Sequence, residues 1–159
     1  MTARRPGWGK ELHARAEFRA PLEFVFAWCT DFDPHDARRE GDAYERRILL
    51  RQRRRVVFED LAESKEGWIW VRQDVSLHPP DHWHAESVGN RRDASIDYRL
   101  TRISPERTRL DLRWRRRPTG IVRGGPSPRA IEKATEASWR VFARSLERDF
   151  RRERRARAR

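Results

Sequence analysis

Tyr98 and Asp60 are the residues with the widest chemical scope in this chain. A tyrosine hydroxyl facing an apolar space can donate a hydrogen bond to a ligand carbonyl or act as a general acid. A nearby carboxylate can serve as a base or bind an amine. Both residues fall at inward positions of alternating segments, so they are the catalytic candidates. Trp83 and Trp114 share that face and can stack on a flat ring. Each residue also has a plainer role. A buried tyrosine anchors its hydroxyl to the protein, an aspartate near a hairpin end sits on a solvated rim, and tryptophans fill cores. His82 and His84 put two imidazoles on one strand face, a spacing that can bind zinc or copper, with His78 close by. Their parity is opposite to that of Trp83, toward solvent, and no third ligand is assured, so no metal site is expected. Cys29 lies on an apolar helical stripe and reads as a small core hydrophobe. The stretch from Gly120 to Pro126 lacks the Lys-Ser/Thr pair of a phosphate loop, and no cofactor is expected.

The elements that must position these residues follow from hydrophobic period. Leu12, Ala14, Ala16 and Phe18 alternate with His13, Arg15, Glu17 and Arg19, which predicts a strand with one buried face. After Ala20-Pro21, the residues Leu22, Val25, Phe26 and Cys29 recur at helical spacing. Asp31-Phe32-Asp33-Pro34 ends that helix, and residues 35–41 read as a short second one closing at Gly41. From Tyr44 to Arg117 six strands follow, separated by turn signals, with Ile48 and Leu50 on one face of the first. Ser127 caps a long helix that starts at Pro128 and runs to about Arg152, with Trp139, Phe142, Leu146 and Phe150 as its large apolar stripe. Its early small residues, Ala130, Ala134, Ala137 and Ser138, either leave room over the sheet or pack closely on it.

Register arithmetic proposes what shares the inner face. A two-residue turn at Asn90-Arg91 sets Tyr98 opposite Trp83 and Ala94 opposite Ser87. The turn at Pro79-Pro80-Asp81 sets Trp83 against Leu77 and Ser87 against Gln73. One hairpin back, Phe58 falls beside Val71 and Asp60 beside Ile69, and the hairpin around Pro105 brings Trp114 near Tyr98. The candidate ligand-binding set is therefore Phe58, Val71, Gln73, Trp83, Ser87, Tyr98, Leu112 and Trp114. It is mostly apolar with a few polar groups, the composition of a small-molecule site.

Composition bounds the partners. The chain has 159 residues and a formal net charge of +12, and only three of its 37 basic residues are lysines. The length suits one domain with one core. We read residues 1–9 as a flexible lead, 10–152 as a single domain and 153–159 as a basic tail. The charge permits an anionic partner such as nucleic acid, but most arginines are interspersed with acids and read as a solvated outer sheet face. The clusters Arg51, Arg53, Arg54, Arg55 and Arg113, Arg115, Arg116, Arg117 are placed outward on that reading. Trp68 and Trp70 also have outward parity, so that face is covered, as by another subunit, or the register changes there. The chain is read as a monomer or homodimer. No apolar run approaches the ~20 residues of a membrane span, and with a single cysteine and no signal-peptide pattern a cytoplasmic setting is expected.

The order of elements resembles the START/polyketide-cyclase superfamily, also called SRPBCC. The resemblance rests on the opening strand and Ala20-Pro21-Leu22-Glu23-Phe24-Val25-Phe26 running into Asp31-Phe32-Asp33. It continues in Leu77-His78-Pro79-Pro80, Tyr98-Arg99-Leu100, Arg107-Thr108-Arg109-Leu110 and the closing helix, covering roughly residues 10–152. It implies an α+β helix-grip fold: a curved antiparallel sheet of about seven strands wrapped around a long C-terminal helix, with two short helices after the first strand. It implies a cavity between sheet and helix for a lipid, sterol, polyketide or hormone. Asp31 and His35 resemble part of the iron-ligand set of ring-hydroxylating oxygenases, but the second histidine of that set is missing. Three functions are then open: binding, transport or processing of a hydrophobic or aromatic small molecule or lipid; a cyclase or dehydratase using Tyr98 and Asp60; or a basic interaction module for RNA, membrane or a protein.

Overall fold

The computed structural model describes residues 7–40, 43–119 and 124–159. Residues 1–6 of the expected lead, Gly41 at the expected end of the second helix and residues 120–123 of the loop lie outside it. The elements run β1 (Leu12–Phe18), α1 (Leu22–Cys29), α2 (Asp36–Glu40), β2 (Tyr44–Gln52), β3 (Arg55–Ser64), β4 (Gly67–His78), β5 (His82–Gly89), β6 (Arg92–Ser104), β7 (Arg107–Pro118) and α3 (Pro128–Arg157). The strands form one antiparallel sheet in the order β1-β7-β6-β5-β4-β3-β2, with α3 over one face, which is the expected helix-grip architecture. α3 is a single 30-residue helix that includes most of the basic C-terminal segment.

The alternation in β1 is realised in full, with Leu12, Ala14, Ala16 and Phe18 buried and the residues between them exposed. Phe18, Phe58, Leu110, Leu146, Val25, Val56 and Val75 form the fully buried centre of the core. Side chains of α3 satisfy the free edge of β1. Glu132 Oε1 accepts from the backbone N–H of His13 at 2.9 Å, Glu136 Oε1 from that of Arg15 at 3.4 Å and Glu147 Oε1 from that of Arg19 at 2.9 Å. An edge strand presents unpaired backbone groups, so these carboxylates both cap the edge and fix the helix along it. The N-terminus of α3 is capped as expected, with Ser127 Oγ accepting from Ala130 N–H at 3.2 Å.

The register departs from expectation in two places, the β3–β4 hairpin and a bulge in β2. Trp83 opposite Tyr98, Ser87 opposite Ala94 and Ser87 opposite Gln73 are as read, but Phe58 pairs with Gln73 and Asp60 with Val71. The cause is the tight turn at Lys65-Glu66, closed by Gly67 at φ 104°, a left-handed conformation that glycine tolerates. The offset is two residues, so every side chain keeps its face. Trp114 lies opposite Ile96, one diagonal step from Tyr98, so the two are near as read, and Leu112 is the direct partner of Tyr98. In β2 a bulge between Ile48 and Leu50 sets Leu50 beside Val57 and leaves Leu49 exposed.

Two expectations about faces are corrected. Ala130, Ala134, Ala137 and Ser138 of α3 are exposed, so they neither pack on the sheet nor leave room over it. Arg116 does not belong with the outward cluster, because it continues the inward parity of Leu112 and Trp114. The register does not change at Trp68, which is 58% exposed on the outer face, while Arg72 lies over the ring of Trp70.

Candidate functional site

Protein interiors are normally close-packed, but two spaces remain between the sheet and α3. One, of about 250 Å³, lies among α1, α2, β2 and the middle of the sheet. The other, of about 300 Å³, lies among β4 to β7 and the first half of α3. Gln73, Tyr98 and Trp139 line both, so they form the junction between two lobes. The first is a little smaller than the roughly 300–1,000 Å³ of ligand pockets, and the second lies at the lower end of that range.

Every candidate residue from the sequence lines one lobe or both. Phe58, Asp60, Gln73, Trp83 and Tyr98 line the first, and Val71, Gln73, Ser87, Tyr98, Leu112 and Trp114 the second. Strand parity explains the placement, since all these positions alternate inward along β3 to β7. Helix α3 contributes Ile131, Thr135 and Trp139 at successive i, i+4 positions, and Phe142 on the same side.

Aromatic contacts set the shape. The Tyr98 ring stacks on Trp83 with centroids 4.8 Å apart and meets Trp139 edge-on at 6.2 Å. Phe26 of α1 meets Trp83 edge-on at 5.9 Å. Phe32 lies 5.1 Å from Phe58, and it reaches that position from a backbone at φ 43°. A non-glycine residue held left-handed costs on the order of 1 kcal/mol or more, which the ring packing offsets.

The polar groups divide into paired and unpaired. Arg46 of β2 is the residue that motif reading missed. Its guanidinium grips both oxygens of Asp60, with Nε to Oδ1 at 2.8 Å and a second N–H to Oδ2 at 2.9 Å, and donates to Asp36 Oδ2 at 2.6 Å. It lies 4.2 Å above the Phe58 ring, and its side chain is only 7% exposed. Burial works against its charge, but Asp60, Tyr44 and Asp36 outweigh that and hold its pKa above the ordinary arginine value. The signal was its parity with Ile48.

The Tyr98 hydroxyl, the Gln73 amide and the Ser87 hydroxyl, by contrast, have no hydrogen-bond partner among the described residues. Burial, and then the neighbouring Cys29, push the Tyr98 pKa up, so it stays protonated and able to donate. Burial, and then Asp31 and Asp36, raise the Cys29 pKa as well, which keeps the thiol neutral.

The histidine pair lies where its parity put it, on the outer face. His82 and His84 both reach Asp97 Oδ1, at 3.2 and 3.0 Å, and His84 Nε2 lies 2.6 Å from Glu86 Oε1. Burial opposes charge on His84, but Glu86 and Asp97 outweigh it and raise its pKa. Among the described residues, no group of three or more His, Cys, Asp or Glu is arranged to hold a metal ion. No helix among them is long and apolar enough to cross a membrane.

Solved structures share this fold. The Zhui aromatase/cyclase from Streptomyces sp. R1128 superimposes with a TM-score of 0.66 over 90% of this chain and 94% of its own, at 15% identity. This chain has the helix-grip fold of START and polyketide-cyclase proteins. A START superfamily protein from Mycobacterium smegmatis matches with a TM-score of 0.65 over 91% of this chain and 99% of its own, at 14% identity. A conserved protein from Geobacillus kaustophilus matches the same helix-grip fold at 0.64, over 90% and 96%, at 15% identity. No protein-family model matches the sequence, and no curated protein does. At these identities the likeness concerns the fold, and fold alone does not fix function.

Proposed function

We propose that this helix-grip chain binds a hydrophobic or aromatic small molecule in the cavity between the sheet and α3. The observation that carries the reading is the set of polar groups Tyr98, Gln73 and Ser87, unpaired among the described residues, in an aromatic-walled space. Among the described residues no polar side-chain atom is sealed off without a partner, so these three groups open onto the cavity, where water or a ligand can bond them. A few convergent polar groups in an apolar cavity are what orients a bound molecule. Tyr98, protonated and stacked on Trp83, serves as donor to a ligand carbonyl.

A cyclase or dehydratase function needs Tyr98 as acid and Asp60 as base. In support, the fold is shared with the Zhui aromatase/cyclase. Against it, both Asp60 oxygens are held by Arg46, so accepting a proton means breaking a two-pronged ion pair. Binding is therefore the better-supported reading, and the basic-module reading rests on charge alone.

A matched pair of probes tests the role of Tyr98. Titrating the protein with 2-acetonaphthone and 2-ethylnaphthalene, followed by tryptophan emission, is expected to give saturable one-site binding of both, with the ketone tighter. Tyr98→Phe should shrink the ketone's advantage by about 5–10-fold, the worth of one hydrogen bond. Its unfolding midpoint should hardly move, because the hydroxyl has no protein partner to lose. An unchanged ketone preference removes Tyr98 from the site, and absence of saturable binding by either probe defeats the reading.

A further inference from the structure

Two arginines stand at one end of the second lobe, Arg92 exposed and Arg116 half-buried. Arg92 of β6 continues the parity of Ala94, Ile96 and Tyr98, and Arg116 of β7 that of Leu112 and Trp114. The register sets Ala94 opposite Arg116 and Arg92 opposite Pro118, so the two arginines are diagonal neighbours on one face, within reach of each other for long side chains. Their sequence neighbours are paired. Arg117 binds Asp93 at 2.9 Å and Arg91 binds Glu66 at 2.9 Å. Arg92 and Arg116 make no ion pair with any described residue, and none of the described residues lining the lobe is acidic. Burial, and then the charge of Arg92, pull the pKa of Arg116 down. The half-buried Arg116, beside a like charge and with no acidic partner among the described residues, carries the larger cost, and an anion held by both guanidiniums relieves it. With Ile131, the same two residues also line an outer basin of about 440 Å³, so they stand where the lobe meets the surface.

We propose that Arg92 and Arg116 form an anion-binding mouth to the second lobe, so that the ligand carries a carboxylate or phosphate group on an apolar body. This rests on the cavity-binding reading above. The planar guanidinium fork suits both head groups, since it presents paired N–H donors to two oxygens at once. The apolar body lies along Leu112, Trp114 and Ile131.

The test compares dodecanoate, dodecyl phosphate and uncharged methyl dodecanoate, titrated at low ionic strength into the full chain with tryptophan emission as readout. At least one anionic ligand is expected to bind about 10–100-fold tighter than the ester, the range for charge-assisted hydrogen bonds. Whichever anion leads names the head group. In Arg92→Gln/Arg116→Gln the anion-over-ester ratio should fall to within about threefold, and in Arg92→Lys/Arg116→Lys most of it should remain at low salt. Ester binding shows that each variant is folded, and the wild-type ratio stands without them. An ester as tight as both anions overturns this inference while leaving the cavity reading intact, as does a preference that survives the double glutamine variant. If the wild type binds neither the ester nor the naphthalene probes, the cavity reading fails and the mouth falls with it.

Discussion

Replacing Arg46 with methionine is expected to lower the unfolding free energy by about 3–5 kcal/mol, the usual cost of removing one partner from a buried ion pair. Asp60 depends on that guanidinium for both of its oxygens, and its side chain is 20% exposed, so water substitutes only in part. Asp36 loses a bond of 2.6 Å at the same time. For a chain of this size, roughly 2–4 °C of Tm per kcal/mol makes the expected fall on the order of 10 °C. Arg46→Lys keeps the charge but not the fork, and should lose less. Adding Asp60→Asn to Arg46→Met should recover part of the loss, because the stranded charge is then gone. Denaturant melts of the four proteins read this directly. A loss under about 1 kcal/mol for Arg46→Met would show that the pair behaves as an exposed one.

The second large effect concerns the cavity. Gln73 stands at the junction of the two lobes, and Thr135 faces it from α3 in the second. Gln73→Phe with Thr135→Phe fills the space from both walls. Affinity for 2-acetonaphthone is expected to fall about 100-fold, equivalent to ~2.7 kcal/mol of lost contact. Added bulk strains a full core by about 1–3 kcal/mol, but here it enters empty space, so the melt should change little. Unchanged affinity in the folded double variant would place the probe elsewhere.

How much of this could be read from residue order depends on the signal. The hairpin β5–β6 was legible because Gly89-Asn90 announces a tight turn and the flanking residues alternate cleanly, which fixed Trp83 against Tyr98. The turn between β3 and β4 lies at Lys65-Glu66, two ordinary helix-compatible residues, and its position was missed by one step of the pleat. Inward parity survived, so the lining was still found. Arg46, Arg92 and Arg116 were not found, since a charged residue on an inner position contradicts the simplest reading of alternation. Whether it is paired, as Arg46 is, or without an ion pair among the described residues, as Arg92 and Arg116 are, depends on contacts distant in sequence. The alanines of α3 were assigned to the wrong side because size was weighed before helical phase. Ile131, Thr135 and Trp139 carry the inward stripe, and Ala130, Ala134 and Ala137 lie off it. The arginine surplus was read correctly in bulk, with strand arginines such as Arg47 and Arg55 exposed and paired to Glu59 and Asp74.

The claim that a ligand sits between sheet and helix is tested most directly by mapping amide chemical shifts during a titration with 2-acetonaphthone. The account predicts perturbations concentrated at Gln73, Ser87, Tyr98, Trp114, Thr135 and Trp139, all saturating with one Kd. Perturbations gathered instead on the exposed outer face at Leu61, Trp68 and Val88, or none that saturate, would contradict it.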